Sequence, residues 1–364
     1  MKIKSSILFI ILSFLLFTSA QAKDTSDIVV TIKPLHSLVQ NVLGTTGQAQ
    51  ILLTQTASPH DFQLKPSHIK QIQKAKVVFF IDGKFETFLS RAFKTLPKNV
   101  RKAGIIDNAD LTFLPYRKGG VWEGHDHDHH GHGNHDDHKK EAKDEHDHGH
   151  DHGKKKHKKD HHKEHGHDDH HSKHGHDKHK KEEAHHDEAA ETPDMHVWLD
   201  PKNAKKIVQF IAKELSTIYP KNAKTYQKNA EATIKKLEVL DTKLKVSLKD
   251  IKDRPFIVFH DAYQYFEQAY GLSGVGSITL EPDEAPSPKR ISNLRKKIKG
   301  AKAACVFREP QYSDRLVKTV IEGTKAKSAT LDPLGANLTD GTDLYFNLLN
   351  DLSNNLSKCL SPSS

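Results

Sequence analysis

Histidine is the residue type with the most chemical potential in this chain. Of the 28 His among 364 residues, all but five lie in one stretch, residues 123–192. The remaining five are His36, His60, His68, His196 and His260. Neutral imidazole is a preferred ligand of zinc, copper and nickel. The histidine pattern therefore indicates a protein that handles a divalent metal.

Two of the isolated histidines and one aspartate stand where predicted strands end, and a third histidine stands at the far edge of the His-rich stretch. His60 follows the run ILLT, His260 follows FIVF, Asp332 follows SATL, and His196 precedes VWLD. Ligands of open parallel sheets bind beyond the carboxyl ends of the strands. Each His alone could be structural, but their joint placement favours ligands. Three imidazoles and a carboxylate meeting in a cleft would form a tetrahedral or near-tetrahedral zinc site.

Residues 123–192, which we call the tract, consist almost wholly of His, Asp, Glu, Lys and Gly. With almost no apolar residue the tract cannot bury a core, so we predict disorder. A His-rich tract of this kind has a metal-binding composition. Its candidate accessory ligands are His125, His127, His129, His130, His132, His146, His148, His150, His152, His161 and His162. A solvated charge run without a role is the alternative, and the interleaved Asp, Glu and Lys argue against an artificial tag.

Outside the tract, short β-branched runs alternate with amphipathic helical patterns. This alternation predicts an α/β fold with mostly parallel sheets flanked by helices. In detail, Ser67 is expected to cap the second helix, GIIDN to end a strand, and DAYQYFEQAYG to form a helix. A weak internal echo relates PSHIKQIQKAKVVFF to PSPKRISNLRKKIKGAKAACVF, and IVVTIKPLHSLVQ to PFIVFHDAYQYFE. Two copies of one unit would give two lobes with a cleft between them, although generic strand–helix units can also look alike by chance.

A leucine-rich helical pattern runs without interruption from Ala223 to about Ile251. At 1.5 Å per residue it spans roughly 40 Å, which suits a rigid connector between lobes. We predict a first lobe at residues 23–219, including the tract as a disordered loop, the connecting helix at 220–252, and a second lobe at 253–364.

The first residues have the features of a cleaved export signal. Two Lys precede the apolar run Ile7–Phe17, and Ala20-Gln21-Ala22 gives a small-x-small cleavage pattern. We predict a signal peptide at residues 1–22, no lipid anchor, and a periplasmic location.

Export is consistent with the two cysteines of the chain. Cys305 and Cys359 would pair in an oxidising compartment, and two buried free thiols are the alternative. A bridge would stabilise the fold by about 3–4 kcal/mol in the chain-entropy model.

The net charge of +9 does not indicate a nucleic-acid partner. The tract is acidic, so the rest of the chain is more basic than this figure. Its Lys are scattered along helices without interleaved aromatic residues, which is typical of solvated helical faces. We expect no nucleic acid partner and a monomer.

Several motifs together resemble a known family. They are ASPHDFQLKPS, MHVWLDP, VFHDAYQYF, CVFREPQ and TLDPLG, with the paired Cys of ACVF and SKCL. They are similar to the high-affinity zinc-binding proteins of bacterial zinc ABC importers, solute-binding proteins with two lobes joined by one long helix. The resemblance covers essentially all of the chain after the signal peptide and includes an acidic His-rich loop.

The resemblance implies His60, His196 and His260 as ligands of Zn²⁺, and a zinc ABC permease as partner. The fourth position differs among relatives, and here Asp332, water or a loop group could fill it. Some relatives carry Glu before the first ligand, where this chain has Pro59. Relatives that carry manganese have a carboxylate in place of His260, so three imidazoles favour zinc.

The resemblance implies capture of zinc in the periplasm and delivery to the permease. The tract would then gather zinc weakly, and could also contact other periplasmic zinc-binding proteins. One alternative is a zinc buffer that acts mainly through the tract. Another is a zinc hydrolase, although the chain has no HExxH motif. A further alternative is surface adhesion, which no feature of the sequence supports or excludes. We interpret His36 and His68 as structural or surface residues. Glu281 and Glu309 could line the cleft, although a structural role is the interpretation that we favour for each.

Overall fold

The fold is taken from a computed structural model. It describes residues 27–54, 56–117, 122, 193–279, 282 and 285–362. The predicted signal peptide, the tract with its accessory histidines, and Glu281 lie outside the described residues. No helix in the described ranges is both long and apolar enough to cross a membrane.

The first lobe contains a four-stranded parallel sheet. Its strands are β1 (Ile28–Val30), β2 (Gln50–Ile51), β3 (Val77–Phe80) and β4 (Arg101–Gly104), in the order β2-β1-β3-β4. The helices between and after them are α1 (Lys33–Leu43), α2 (Pro66–Lys74), α3 (Leu89–Lys94) and α4 (Ile105–Asn108). Because helices cover both faces, β1 and β3 are buried over their whole length.

Two long helices follow residue 193. Helix α5 (Pro201–Ile218) begins at Asp200, whose carboxylate accepts a hydrogen bond from the Lys202 N–H. Helix α6 (Ala223–Ser247) has 25 residues, and short 3₁₀ turns extend it at both ends. It packs against α5 and α1 and runs between the lobes. Pro220 separates the two helices, as the sequence predicts.

The second lobe repeats the topology of the first. Its strands are β5 (Phe256–Val258), β6 (Gly274–Ser277), β7 (Cys305–Arg308) and β8 (Lys327–Thr330), all parallel, in the order β6-β5-β7-β8. Its helices are α7 (Gln264–Tyr270), α8 (Pro288–Gly300), α9 (Arg315–Ile321) and α10 (Leu344–Leu360). The two strand orders are the same with each number shifted by four. The two-lobe α/β fold with a connecting helix is therefore confirmed.

Three local predictions were wrong. Helix α2 begins at Pro66, so the cap position falls on Lys65 and not on Ser67. Residues 105–108 form a helical turn and not a strand end, because the N–H groups of Ile105 and Ile106 both bond to the Ile81 carbonyl. Helix α7 starts at Gln264 and not at residue 261, because a tight turn follows β5.

Cys305 and Cys359 form a disulfide across 54 residues of sequence. Cys305 is the first residue of β7, and Cys359 lies in the last turn of α10. The bridge therefore fastens the C-terminal helix to the amino end of a central strand, and the predicted pairing of the two cysteines is confirmed.

Candidate metal centre

Three imidazoles converge between the lobes. One ring nitrogen each from His60, His196 and His260 lies within 4.8 Å of the other two. The Nε2 atoms of His196 and His260 are 3.3 Å apart. His196 and His260 are buried, whereas His60 is only partly covered. The geometry could hold one metal ion, with the fourth tetrahedral position left to a further group.

Each imidazole comes from a different part of the chain. His60 lies on the loop after β2, where its N–H donates to Ser58 Oγ at 3.2 Å. His196 directly precedes a 3₁₀ turn, Val197–Leu199. His260 follows β5 at the carboxyl end of the second sheet. The convergence thus depends on the carboxyl ends of both sheets facing one cleft, as the strand-end pattern predicts.

Two buried carboxylates orient two of the rings. Asp194 Oδ1 lies 2.8 Å from His196 Nδ1 and also accepts the His196 N–H at 3.0 Å. Glu309 Oε1 lies 2.8 Å from His260 Nδ1. When Nδ1 donates to a carboxylate, the lone pair is on Nε2, which is the nitrogen that would bind a metal. Each of these rings is therefore set to present Nε2 to the cluster.

Burial controls protonation at the centre. Desolvation holds the pKa of His60 and of His196 well below the usual imidazole value, and the neighbouring imidazoles lower them further. Desolvation also raises the pKa of Asp194 to about 7, against the hydrogen bond from the His196 N–H. The imidazoles of His60 and His196 are consequently neutral at neutral pH, which is the form that binds metal.

Aromatic rings form the walls of the centre. The Phe85 ring meets His60 edge-on at 4.9 Å and His196 at 5.4 Å between centroids. Trp198 lies 5.3 Å from the His196 ring, and its Nε1 donates to the Pro333 carbonyl in the second lobe at 2.9 Å. On the other side, Tyr312 Oη donates to Ser58 Oγ at 2.7 Å, which links the two lobes at the cavity. These walls limit the access of water to the imidazoles.

Asp332 is not brought into the histidine cluster of the described residues. Its oxygens accept hydrogen bonds from the Gln311 side chain and from three N–H groups of its own loop, those of Leu334, Gly335 and Ala336. An aspartate before Pro-Leu-Gly can fold its own turn in this way. Asp332 does follow a strand, as predicted, but its carboxylate accepts hydrogen bonds that hold its own loop.

The other histidines have local partners away from the centre. His36 Nε2 lies 3.0 Å from the Ala49 carbonyl, and His68 Nδ1 accepts the Lys65 N–H at the start of α2. Glu309, interpreted from sequence as structural, lines the cavity and orients His260. Asp194 was not predicted from the sequence. Its position two residues before His196 is the one sequence feature that could have indicated a contact with that imidazole.

The sequence matches a family described as zinc-uptake complex component A, periplasmic, over residues 28–359. A relative from Brucella suis, named high-affinity zinc uptake system protein ZnuA, is 42% identical, and the alignment covers 94% of each chain.

Among solved structures, a crystal structure of ZnuA superposes with a TM-score of 0.65 at 20% identity, covering 92% of this chain and 99% of the other. A mutant of the laminin-binding adhesin Lmb from Streptococcus agalactiae gives the same TM-score at 19% identity, with coverage of 92% and 99%. At these identities the structures support the fold, and the family match extends over almost the whole chain. The chain therefore belongs to the family of periplasmic A components of zinc-uptake complexes.

Proposed function

We propose that this protein binds Zn²⁺ through His60, His196 and His260 and delivers it to the membrane permease of an ABC importer. The observation that carries the proposal is the convergence of three imidazole nitrogens within 4.8 Å of one another in the cleft. Family membership supplies the transport context, since the relatives are named as components of zinc uptake systems.

The donor set favours zinc over harder cations. Imidazole suits zinc, copper and nickel, whereas manganese and magnesium prefer carboxylate and water oxygens. With three protein nitrogens, the fourth position would be filled by water or by a loop group, as in other open zinc sites. Selectivity against copper and nickel would then depend on geometry and on metal availability.

The remaining parts of the proposal concern the segments outside the described residues. Residues 1–22 would direct export to the periplasm and be removed. The tract would collect zinc weakly and pass it to the cleft, and could also meet other periplasmic zinc-binding proteins. We expect the mature protein to act as a monomer.

We propose transport and not catalysis as the use of the site. Three ligands and a water also occur in zinc hydrolases. Asp194 and Glu309 each contact an imidazole through its Nδ1 atom, so both serve to orient a ring. A screen of the zinc-loaded protein against ester, peptide and phosphate substrates should therefore give no turnover.

The proposal is tested by zinc uptake in cells that lack this protein and are complemented with variants. Wild type and His68→Ala, a histidine outside the cluster, should both restore growth in zinc-depleted medium. His260→Ala should not, because it removes one of three ligands. Full growth with His260→Ala, together with failure of a variant lacking the tract, would favour the buffer alternative instead.

A further inference from the structure

The two chain segments that flank residues 118–192 are fastened to each other. Pro115 and Pro193 form an antiparallel bridge, and the Asp194 N–H donates to the Leu114 carbonyl at 2.8 Å. We call residues 111–117 together with 193–196 the neck. The neck places the start and the end of a long segment side by side, next to His196.

One tyrosine of the second lobe holds both segments of the neck. The Tyr265 hydroxyl, on α7, accepts the Leu114 N–H at 3.1 Å and donates to the Asp194 carbonyl at 2.8 Å. Its side chain is buried. This hydroxyl serves two backbone groups at once, so its removal would leave both of them without this partner.

An arginine of the neck makes a second connection to the same lobe. Arg117 Nε lies 3.0 Å from both oxygens of Asp261, and Arg117 Nη1 lies 2.5 Å from Glu267 Oε2. The side chains are only 18%, 7% and 6% exposed, respectively. The Trp122 ring lies 3.6 Å from the guanidinium carbon. Loss of the Arg117 guanidinium would leave two buried carboxylates without this partner, which is costly.

Both connections adjoin a candidate ligand. Asp261 directly follows His260 in the chain. Asp194, held by Tyr265 through its carbonyl, binds His196 Nδ1 through its carboxylate. The neck therefore connects His196 of the first lobe to His260 of the second by protein contacts alone.

We propose that Arg117 and Tyr265 are positioning residues that hold His196 and His260 at a chelating separation before metal arrives. The inference rests on the proposed function, because it concerns the same ligands. A site that is already assembled loses less free energy in ordering when the ligand binds. Removal of a direct outer partner of a ligating imidazole typically lowers metal affinity roughly 10- to 100-fold, and Arg117 and Tyr265 act one contact further out, through Asp261 and Asp194.

The test compares two neck variants with two matched controls in the full chain. Arg117→Gln and Tyr265→Phe remove the two connections. Arg101→Gln removes an ion pair with Glu214, and Tyr219→Phe removes a hydrogen bond to Asp27, both in the first lobe outside the neck. Zinc affinity is measured against a chelator strong enough to keep the tract empty. The visible absorption spectrum of bound Co²⁺ reports the geometry of the ligands.

We expect affinity to fall roughly 10- to 100-fold in both neck variants, with a changed Co²⁺ spectrum, and to stay unchanged in both controls. Arg117→Lys should recover little, because ammonium does not match two carboxylates as guanidinium does. Wild-type affinity and spectrum in both neck variants, with only a lower melting temperature, would overturn the inference. His260→Ala serves as the reference: if it too bound zinc like wild type, the proposed function would fail and the inference with it.

Discussion

Three imidazoles can chelate a metal only if each presents the correct nitrogen. Asp194 and Glu309 contact the Nδ1 atoms of His196 and His260, so that Nε2 of each ring faces the cluster. Strand-end placement predicted His60 and His260, because strand ends are visible as the points where apolar runs stop. His196 precedes a 3₁₀ turn and not a strand end, and the motif MHVWLDP is what indicated it. Strand-end placement could not predict the carboxylates, since Glu309 is 49 residues from the ring that it orients. Asp332 also follows a strand and was predicted as a ligand for that reason, yet its oxygens accept hydrogen bonds from its own loop.

Asp194→Asn and Glu309→Gln should each lower zinc affinity roughly 10- to 100-fold, because the Nδ1 hydrogen bond weakens and the ring is less firmly oriented. Competition titration of the purified variants measures this. Asp200→Asn is the matched control, since Asp200 caps α5 and contacts none of the imidazoles in the described structure. Equal affinities in all three variants would show that the carboxylates only support the fold.

Glu86 should make stability depend on pH. Its Oε2 accepts the N–H groups of Ile81 and Asp82 in the turn that carries Phe85 to the imidazoles. Burial raises the pKa of Glu86 to about 8, so the folded state holds a proton that the unfolded chain releases near pH 4 to 5. The stabilisation is therefore fully present below that range and is lost as the pH rises through about 8.

Urea unfolding of the metal-free protein should show this loss between pH 5 and pH 8, by at most about 4 kcal/mol. Glu86→Gln keeps the shape without the titration, so its stability should vary less over this range. Glu238→Gln, on an exposed part of α6, should follow wild type. A Glu86→Gln profile parallel to that of wild type would contradict the assignment.

Among the helices and strands, the alternating patterns of the sequence predicted the order of the elements and the parallel sheets. Buried parallel strands are continuous apolar runs, which are visible in a sequence. Element boundaries were less predictable. Helix α2 begins at Pro66, one residue before the predicted cap. Residues 105–108 form a helical turn, and the N–H groups of Ile105 and Ile106 bond to the Ile81 carbonyl. The first boundary was available locally, since proline is common in the first turn of a helix. The second depends on a contact with a distant residue, which the local pattern does not contain.

The disulfide should contribute stability without affecting the metal centre. Cys305 begins β7, whereas Glu309 follows the opposite end of that strand. The double variant Cys305→Ala/Cys359→Ala should lose about 4 kcal/mol of unfolding free energy in the chain-entropy model, for a separation of 54 residues. Zinc affinity should not change. A large loss of affinity at temperatures where the variant is folded would mean that the C-terminal helix also positions the site.

The described part of the molecule contains two copies of one α/β unit, and the candidate metal centre lies between them. The strand orders β2-β1-β3-β4 and β6-β5-β7-β8 bear out the weak internal echo of the sequence. His60 and His196 come from the first half and His260 from the second, so the site exists only when both lobes are folded. Contacts across the cleft, such as that of Tyr312 with Ser58, could not be predicted from the sequence because they join residues 254 positions apart.

We propose that the cleft, and not the tract, holds the transported metal. The decisive experiment is a zinc competition titration on mature protein lacking residues 123–192. We predict one tight equivalent that is lost in His60→Ala and in His260→Ala but kept in His68→Ala. If the shortened protein bound zinc only weakly while the full chain bound it tightly, the tract would be the principal binder and the claim would be wrong.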